Sequence, residues 1–253
     1  MIKLSGVIIT FNEENNIEDC LKSLVNVVDE IVVVDSFSTD NTKVICEKYN
    51  VKFFEQKFLG YVEQKNFALS KATYNKIVSL DGDEALSETL QNSITNLKSN
   101  WKFDGYYVNR FNNFCGQWIK HTTWYPEKKL RVFDKTKAAW TGLKIHETVS
   151  LNSKDAKTGK LKGDILHRNY QTYSEHNQQI EKFTSLAAEA YYDLGKEASL
   201  FKIIVNPTWA FFQSYILKLG FLDGFNGFYI SVQTAHIRFL KYAKLRQLNK
   251  TNP

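Results

Sequence analysis

The stretch Lys76-Ile77-Val78-Ser79-Leu80-Asp81-Gly82-Asp83-Glu84 runs a short apolar strand into two aspartates spaced i, i+2 and a third acid. Carboxylates crowded at a strand end repel one another. A hard divalent cation, Mg2+ or Mn2+, relieves that repulsion and keeps coordination positions open for substrate phosphates. A metal and a phosphate-bearing substrate are therefore the first chemistry this cluster allows. The other reading is that the acids cap a helix starting near Ser87, because acids favour a helix N-terminus. Taken alone, Asp-x-Asp does not choose between the two.

The elements around the cluster show what must position it. Leu4–Thr10 reads as a buried strand, and Ile17, Leu21, Leu24 and Val28 then recur at helical spacing. Glu30–Asp35 is a second apolar strand, and the turn Ser36–Asp40 offers small polar residues to cap a helix around Val44–Tyr49. Val51–Phe54 predicts a third strand, Tyr61–Ala72 a helix and Ile77–Leu80 a fourth strand. Strands alternating with helices of this length predict a parallel sheet with crossover helices, whose ligands bind beyond the carboxyl ends of the strands. That rule gathers Thr10, Asn12 and Glu13, then Asp35 and Ser36, then Asp81 and Asp83 into one crevice. The first turn, Thr10-Phe11-Asn12-Glu13-Glu14-Asn15, holds no glycine, which disfavours a nicotinamide enzyme or a P-loop kinase.

From Gly105 the pattern changes to shorter strands, at 106–110, 130–133 and 145–149, read as a second half of the same sheet. An aromatic, basic loop with Trp118, His121, Trp124 and Tyr125 lies between them. Beyond His167 the chain is expected to be mostly helical, with Ile203–Phe239 apolar and aromatic but broken by Pro207, Gly220, Gly224 and Gly227. The predicted division is a catalytic domain over 1–167, with halves 1–104 and 105–167, and a helical extension over 168–253.

The chain has 253 residues and a net charge of +6, with no acid after Asp223 while Arg238, Lys241, Lys244, Arg246 and Lys250 follow. By electrostatics that end can meet anionic lipid or nucleic acid, or simply be a solvated helix face. No nucleic-acid module is recognisable, so nucleic acid is not an expected partner. Three separated cysteines argue against a disulfide framework or zinc site and suit a reducing compartment. The start runs straight into a strand pattern without a signal-peptide layout, and no apolar stretch is long enough to span a bilayer, so a cytoplasmic protein is expected.

Four segments together carry a resemblance. Val7-Ile8-Ile9-Thr10-Phe11-Asn12-Glu13-Glu14, Val33-Val34-Asp35-Ser36-Phe37-Ser38-Thr39-Asp40, Gln64-Lys65-Asn66-Phe67-Ala68-Leu69 and Ser79-Leu80-Asp81-Gly82-Asp83-Glu84 resemble the ordered motifs of family 2 glycosyltransferases. Lys129-Leu130-Arg131-Val132-Phe133 and Ile145-His146-Glu147 are similar to the lipopolysaccharide-core β-1,4-glucosyltransferase subgroup. The resemblance implies an α/β GT-A fold, a Rossmann-like, mostly parallel sheet flanked by helices, here with a helical C-terminal extension. It also implies an inverting hexosyl transfer, with glucose from UDP-glucose as donor, to a sugar hydroxyl of a lipopolysaccharide core or similar lipid-linked glycan. A capsule or other surface glycan as acceptor, or a non-catalytic binding protein of the same fold, are the alternatives.

Under that resemblance Asp83 is the principal ligand of a divalent metal, and Asp81 holds the donor ribose or shares the cation. Glu84 is equally a site acid or a helix cap. Thr10, Asn12, Glu13 and Asp35 match nucleoside-contacting positions, although Thr10 and Asn12 also suit a turn-shaping role. A carboxylate at Asp35 can accept the imide N–H of uracil, which cytosine lacks; Ser36 stands where many relatives carry a second acid. Lys65 is placed as a phosphate partner, with Asn66 beside it. Glu147 is the expected base for the acceptor hydroxyl, against the alternative of a surface strand acid, with Asp134 and Glu127 as fallbacks. His146 is an acceptor-side ligand or orienter, and Arg131 contacts an acidic acceptor group or the donor phosphates, or makes a structural ion pair. Trp118, Trp124 and Tyr125 form an aromatic platform for acceptor sugar rings, or pack in a core. The C-terminal aromatic segment either docks on the catalytic domain or lies on the inner-membrane surface.

Overall fold

The computed structural model describes residues 1–143 and 146–251, with the side chains of Leu143 and His146 outside the described set. The chain begins β1 (Leu4–Thr10), α1 (Ile17–Leu24), β2 (Glu30–Asp35), α2 (Thr42–Glu47), β3 (Lys52–Glu55), α3 (Tyr61–Lys71) and β4 (Lys76–Asp81). These strands pair in parallel in the order β3-β2-β1-β4. Every residue of β1 is buried, as a strand covered on both faces must be. Its alternate side chains sort accordingly: Leu4 and Ile8 pack in one core with Ile17, Leu21 and Leu24 of α1, whereas Val7 and Ile9 pack in another with Ala68 and Leu69 of α3. Register places Thr10 opposite Asp35 and Ile9 opposite Asp81, so the polar ends of three neighbouring strands finish together.

The chain continues as β5 (Glu84–Leu86), α4 (Glu88–Leu97), β6 (Gly105–Phe114), β7 (Gln117–Trp118), β8 (Glu127–Asp134), β9 (Ala138–Leu143), β10 (His146–Leu151) and β11 (Thr158–Tyr170). The sheet extends from β4 through β8, β6 and β11 to β5, with antiparallel pairing between β4 and β8 and between β11 and β5. The strand expected over 145–149 begins on Ile145, which lies outside the described residues, and its remainder does not join the sheet: among the described residues β10 pairs only with β9, as a separate two-stranded antiparallel ribbon. Its alternation of half-buried Glu147 and Val149 with exposed Thr148 and Ser150 suits a ribbon open to water on one face. The cap of α4 also differs from the acid-cap reading. Ser87 occupies the N-cap and accepts from the Leu90 N–H, leaving Asp81, Asp83 and Glu84 outside the helix start.

Two compact units divide the chain, one of Met1–Arg110 with Lys128–Arg168 and one of Phe111–Glu127 with Asn169–Pro253. The second is built on α5 (Tyr173–Asp193), α6 (Leu200–Phe212) and α7 (Gly224–Thr251). A capping box between Thr172 and Glu175 starts α5, Ala188 and Leu245 are buried in a core between α5 and α7, and α6 packs on α7. Within this unit Asp223 is buried and accepts from the backbone N–H groups of Lys120 and His121, pinning the loop ahead of Trp124.

Candidate functional site

The first unit supplies the site. Asp81 ends β4 with its carboxylate 2.8 Å from Lys65 Nζ of α3 and 3.0 Å from Arg131 Nη2 of β8. Both cations are almost fully buried, 2 % and 3 % exposed. Burial works to raise the Asp81 carboxyl, but Lys65 and then Arg131 overcome it and hold the group well below the usual carboxylate range. Each cation also reaches a second acid: Lys65 lies 3.3 Å from Glu147 of β10, and Arg131 lies 3.1 Å from Glu84. The indole of Trp140 on β9 lies beside them, its ring centre 4.3 Å from Lys65 Nζ and 5.2 Å from the Arg131 guanidinium carbon, so both charges contact one aromatic ring.

Glu84 ties this arrangement to the backbone. Its buried carboxylate accepts from the Asp81 N–H at 3.0 Å while its other oxygen meets Arg131 and, at 3.4 Å, Arg110. Charges of opposite sign thus alternate from Lys65 through Asp81, Arg131 and Glu84 to Arg110. Asp83 has different neighbours. Its carboxylate lies 3.1 Å from Nε2 of His167, near the end of β11. Glu13 is close by: burial, and next the charge of Asp83, push its carboxyl up to about 7. Cations thus surround Asp81, whereas the surroundings of Asp83 remain acidic.

The turns explain the loop's residue types. A Cβ on Gly82 would lie 2.7 Å from Thr10 Oγ1 and 3.1 Å from Glu13 Cγ, so only glycine lets this loop sit against the end of β1. Thr10 Oγ1 is buried and has no hydrogen-bond partner among the described residues. Asn12 adopts φ 54 and spends its groups on the neighbouring turn, its N–H donating to Ser38 Oγ and its Oδ1 accepting from the Thr39 N–H. Asp35 accepts from the N–H and hydroxyl of Ser38. Thr10, Asn12, Glu13, Asp35, Lys65, Asp81 and Asp83 therefore do converge on one end of the parallel strands.

The remaining predicted residues are placed differently. Asn66 turns from the crevice to β9, where its side chain donates to the Trp140 carbonyl and accepts from the Trp140 N–H, holding Trp140 over the two cations. Of the fallback bases, Asp134 bonds Lys76 and Thr136. Trp118, Trp124 and Tyr125 belong to the second unit, where Phe111 packs at a tilt against Trp118 and Tyr125, and Trp124 packs edge-on to Phe114 and His176. The His146 side chain lies outside the described residues. Sequence reading missed His167, Trp140 and Arg110, and it left Glu84 undecided. Nothing in the sequence singled these residues out: His167 lies inside β11, which runs on to Tyr170.

A divalent cation fits the residues present. Asp83 and His167 offer an oxygen and a nitrogen donor 3.1 Å apart, with the acidic Glu13 close by. Among the described residues no three His, Cys, Asp or Glu side chains group closely enough to hold a metal alone. Oxygens from substrate phosphates and water would complete the shell, as Mg2+ and Mn2+ commonly require.

Comparison with known proteins bears on the family and the fold. The family model described as glycosyl transferase family 2 matches residues 5–153. An uncharacterized glycosyltransferase of Rickettsia felis is 33 % identical over 265 residues, covering 98 % of this chain and 90 % of the relative. The lipopolysaccharide core biosynthesis glycosyltransferase LpsC of Rhizobium meliloti is 28 % identical, covering 97 % and 93 %. Among solved structures, the mannosyltransferase PcManGT of Pyrobaculum calidifontis, in complex with GDP-Man and Mn2+, superimposes with a TM-score of 0.57 over 96 % of this chain and 86 % of that one, at 13 % identity.

Proposed function

The chain belongs to glycosyl transferase family 2 and has the GT-A fold, and from that premise we propose that it is a metal-dependent, inverting transferase moving glucose from UDP-glucose to a sugar hydroxyl of a lipopolysaccharide core. The likeness to LpsC supports the acceptor class, and a lipid-borne acceptor would put the reaction at the cytoplasmic face of the inner membrane. The observation that carries the reading is the charge division at the end of β4: Asp81 between two buried cations, Asp83 beside His167 and Glu13.

A divalent cation held by Asp83 and His167 would neutralise the charge that develops on the departing diphosphate. Lys65 and Arg131 fix Asp81 where it can meet the donor ribose, and Glu84 fixes Arg131. Glu147, tethered to Lys65, takes the proton of the acceptor hydroxyl as that oxygen bonds to the anomeric carbon from the face opposite UDP. The bond from carbon to the diphosphate oxygen breaks, and UDP leaves with the electron pair. Thr10 and Asp35 face the nucleoside, and Asp35 accepts the uracil imide N–H. The test is release of the donor's nucleoside diphosphate, measured with a panel of UDP-, GDP- and dTDP-sugars and lipid A–core acceptors, with Glu147→Gln as control. Turnover confined to GDP- or dTDP-sugars would sink the UDP-glucose assignment. Full activity in Glu147→Gln would remove that residue as the base.

A further inference from the structure

More than half of the exposed large apolar side chains of the described residues lie between 200 and 239, all in the second unit. On α6, Phe201, Val205, Trp209 and Phe212 follow one another at i, i+4, i+8 and i+11, which is one stripe of a helix, while Ala210 on the reverse side is buried. Phe201 is 72 % exposed and Trp209 is 55 % exposed. Beyond the end of α6, Leu222 and then Phe225 at the start of α7 are also 58 % and 69 % exposed. A patch of this kind is far from the isolated surface leucine that needs no explanation.

Charge identifies what covers it. From Ala198 to Thr251 the sequence carries one acid, Asp223, against seven lysines and arginines, of which Lys244 is paired with Glu181 of α5. Asp223 is itself buried and engaged by the N–H groups of Lys120 and His121, so it offers no negative charge to a partner. Lys202 and Lys218 are exposed on the same stretch as the apolar stripe. A second copy of this chain seated on the patch would bring like charge against like. An anionic phospholipid surface accepts both features, aromatic side chains below the headgroups and lysines among them. No helix among the described residues is long and apolar enough to cross a membrane, which restricts the contact to lying on the surface.

We propose that the apolar patch formed by α6, the segment 213–223 and the first turn of α7 is a membrane-docking surface for an anionic phospholipid bilayer, with Phe201, Trp209, Leu222 and Phe225 as its inserted residues. The proposal rests on the second unit alone and holds whatever the donor and acceptor are.

Co-sedimentation with vesicles of phosphatidylglycerol and phosphatidylethanolamine, without nucleotide sugar, tests it. The full chain is expected to sediment with these vesicles, far less with phosphatidylcholine vesicles, and less as salt is raised. The triple variant Phe201→Ser, Trp209→Ser, Leu222→Ser should bind at least about tenfold more weakly, because each buried large apolar side chain contributes a factor of that order. Circular dichroism should show its helix content unchanged, since all three side chains are exposed. In a second measurement the vesicle-induced blue shift of tryptophan fluorescence should vanish in Trp209→Phe while sedimentation persists. Failure of the unaltered protein to bind anionic vesicles overturns the proposal. So does equal binding by the triple variant, or self-association of the unaltered chain that the triple variant abolishes.

Discussion

Asp81 and Asp83 stand two residues apart, yet one meets Lys65 and Arg131 while the other meets His167 and lies near Glu13. Their substitutions should therefore fail in different ways. Asp81→Asn removes the shared counter-charge of two buried cations and should cost about 3 kcal/mol of folding stability in urea unfolding. Asp83→Asn should leave stability within about 1 kcal/mol of the parent, or raise it by relieving Glu13, while weakening Mn2+-dependent UDP binding by at least about a hundredfold in calorimetry. Equal UDP binding by Asp83→Asn would contradict its assignment to the metal. Glu13 gives a pH signature. Its carboxyl is raised from 4.5 to about 7, by burial first and the Asp83 charge second. Between those values the folded protein keeps a proton that the unfolded chain has released, so the favourable contribution is whole below pH 4.5 and is lost as pH rises through 7. In metal-free protein, Glu13→Gln should thus gain stability over the parent between about pH 5 and about pH 8, by on the order of 1 kcal/mol after solvent screening. A flat or falling difference would rule out the raised carboxyl.

At the scale of elements, the site depends on strands meeting their neighbours at fixed points. Asn66 of α3 clamps the Trp140 backbone of β9, which sets an indole beside Lys65 and Arg131. The start of α4 is fixed against β11 in the same way. Gly163 has φ +93, and a Cβ there would lie 2.4 Å from the Leu90 backbone nitrogen. Ser87 joins the same two elements, its hydroxyl accepting from the Asp164 N–H. Gly163→Ala should cost about 2–4 kcal/mol, from left-handed backbone strain together with the displaced helix start. Thermal unfolding of that variant measures it, and a shift no larger than that of an exposed alanine substitution would show that β11 can move away from α4 freely.

For the whole molecule, the proposed donor should act as a stabiliser, because anything that binds only the folded chain shifts unfolding by mass action. UDP with Mn2+ at about a hundredfold excess over its dissociation constant should add about 2.7 kcal/mol. A chelator should remove the gain, and Asp83→Asn should not respond. A gain of the same size with UDP alone would argue against metal-dependent binding. The net charge of +6 is also unevenly spread, since the region from Ala198 onward contributes seven basic residues and one buried acid. A basic, aromatic surface set on a catalytic chain of near-balanced charge is what a transferase serving a lipid-linked acceptor at an anionic bilayer would need.

The parallel strands and the acids at their ends were legible in the sequence because they are local, whereas the order of the strands in the sheet was not. Burial on both faces writes β1, β2 and β4 as apolar runs, helical spacing writes α1, and Asp81-Gly82-Asp83 is one loop. What surrounds each acid was decided only in three dimensions. Lys65, Arg131, Glu147, Trp140 and His167 arrive from α3, β8, β10, β9 and β11, through contacts across long sequence separations that leave no periodic trace. The same holds for β10, whose alternation fits a main-sheet strand as well as a ribbon, and for α6, whose aromatic face reads alike whether buried or exposed. Periodicity fixes which residues share a face; only packing decides what that face meets.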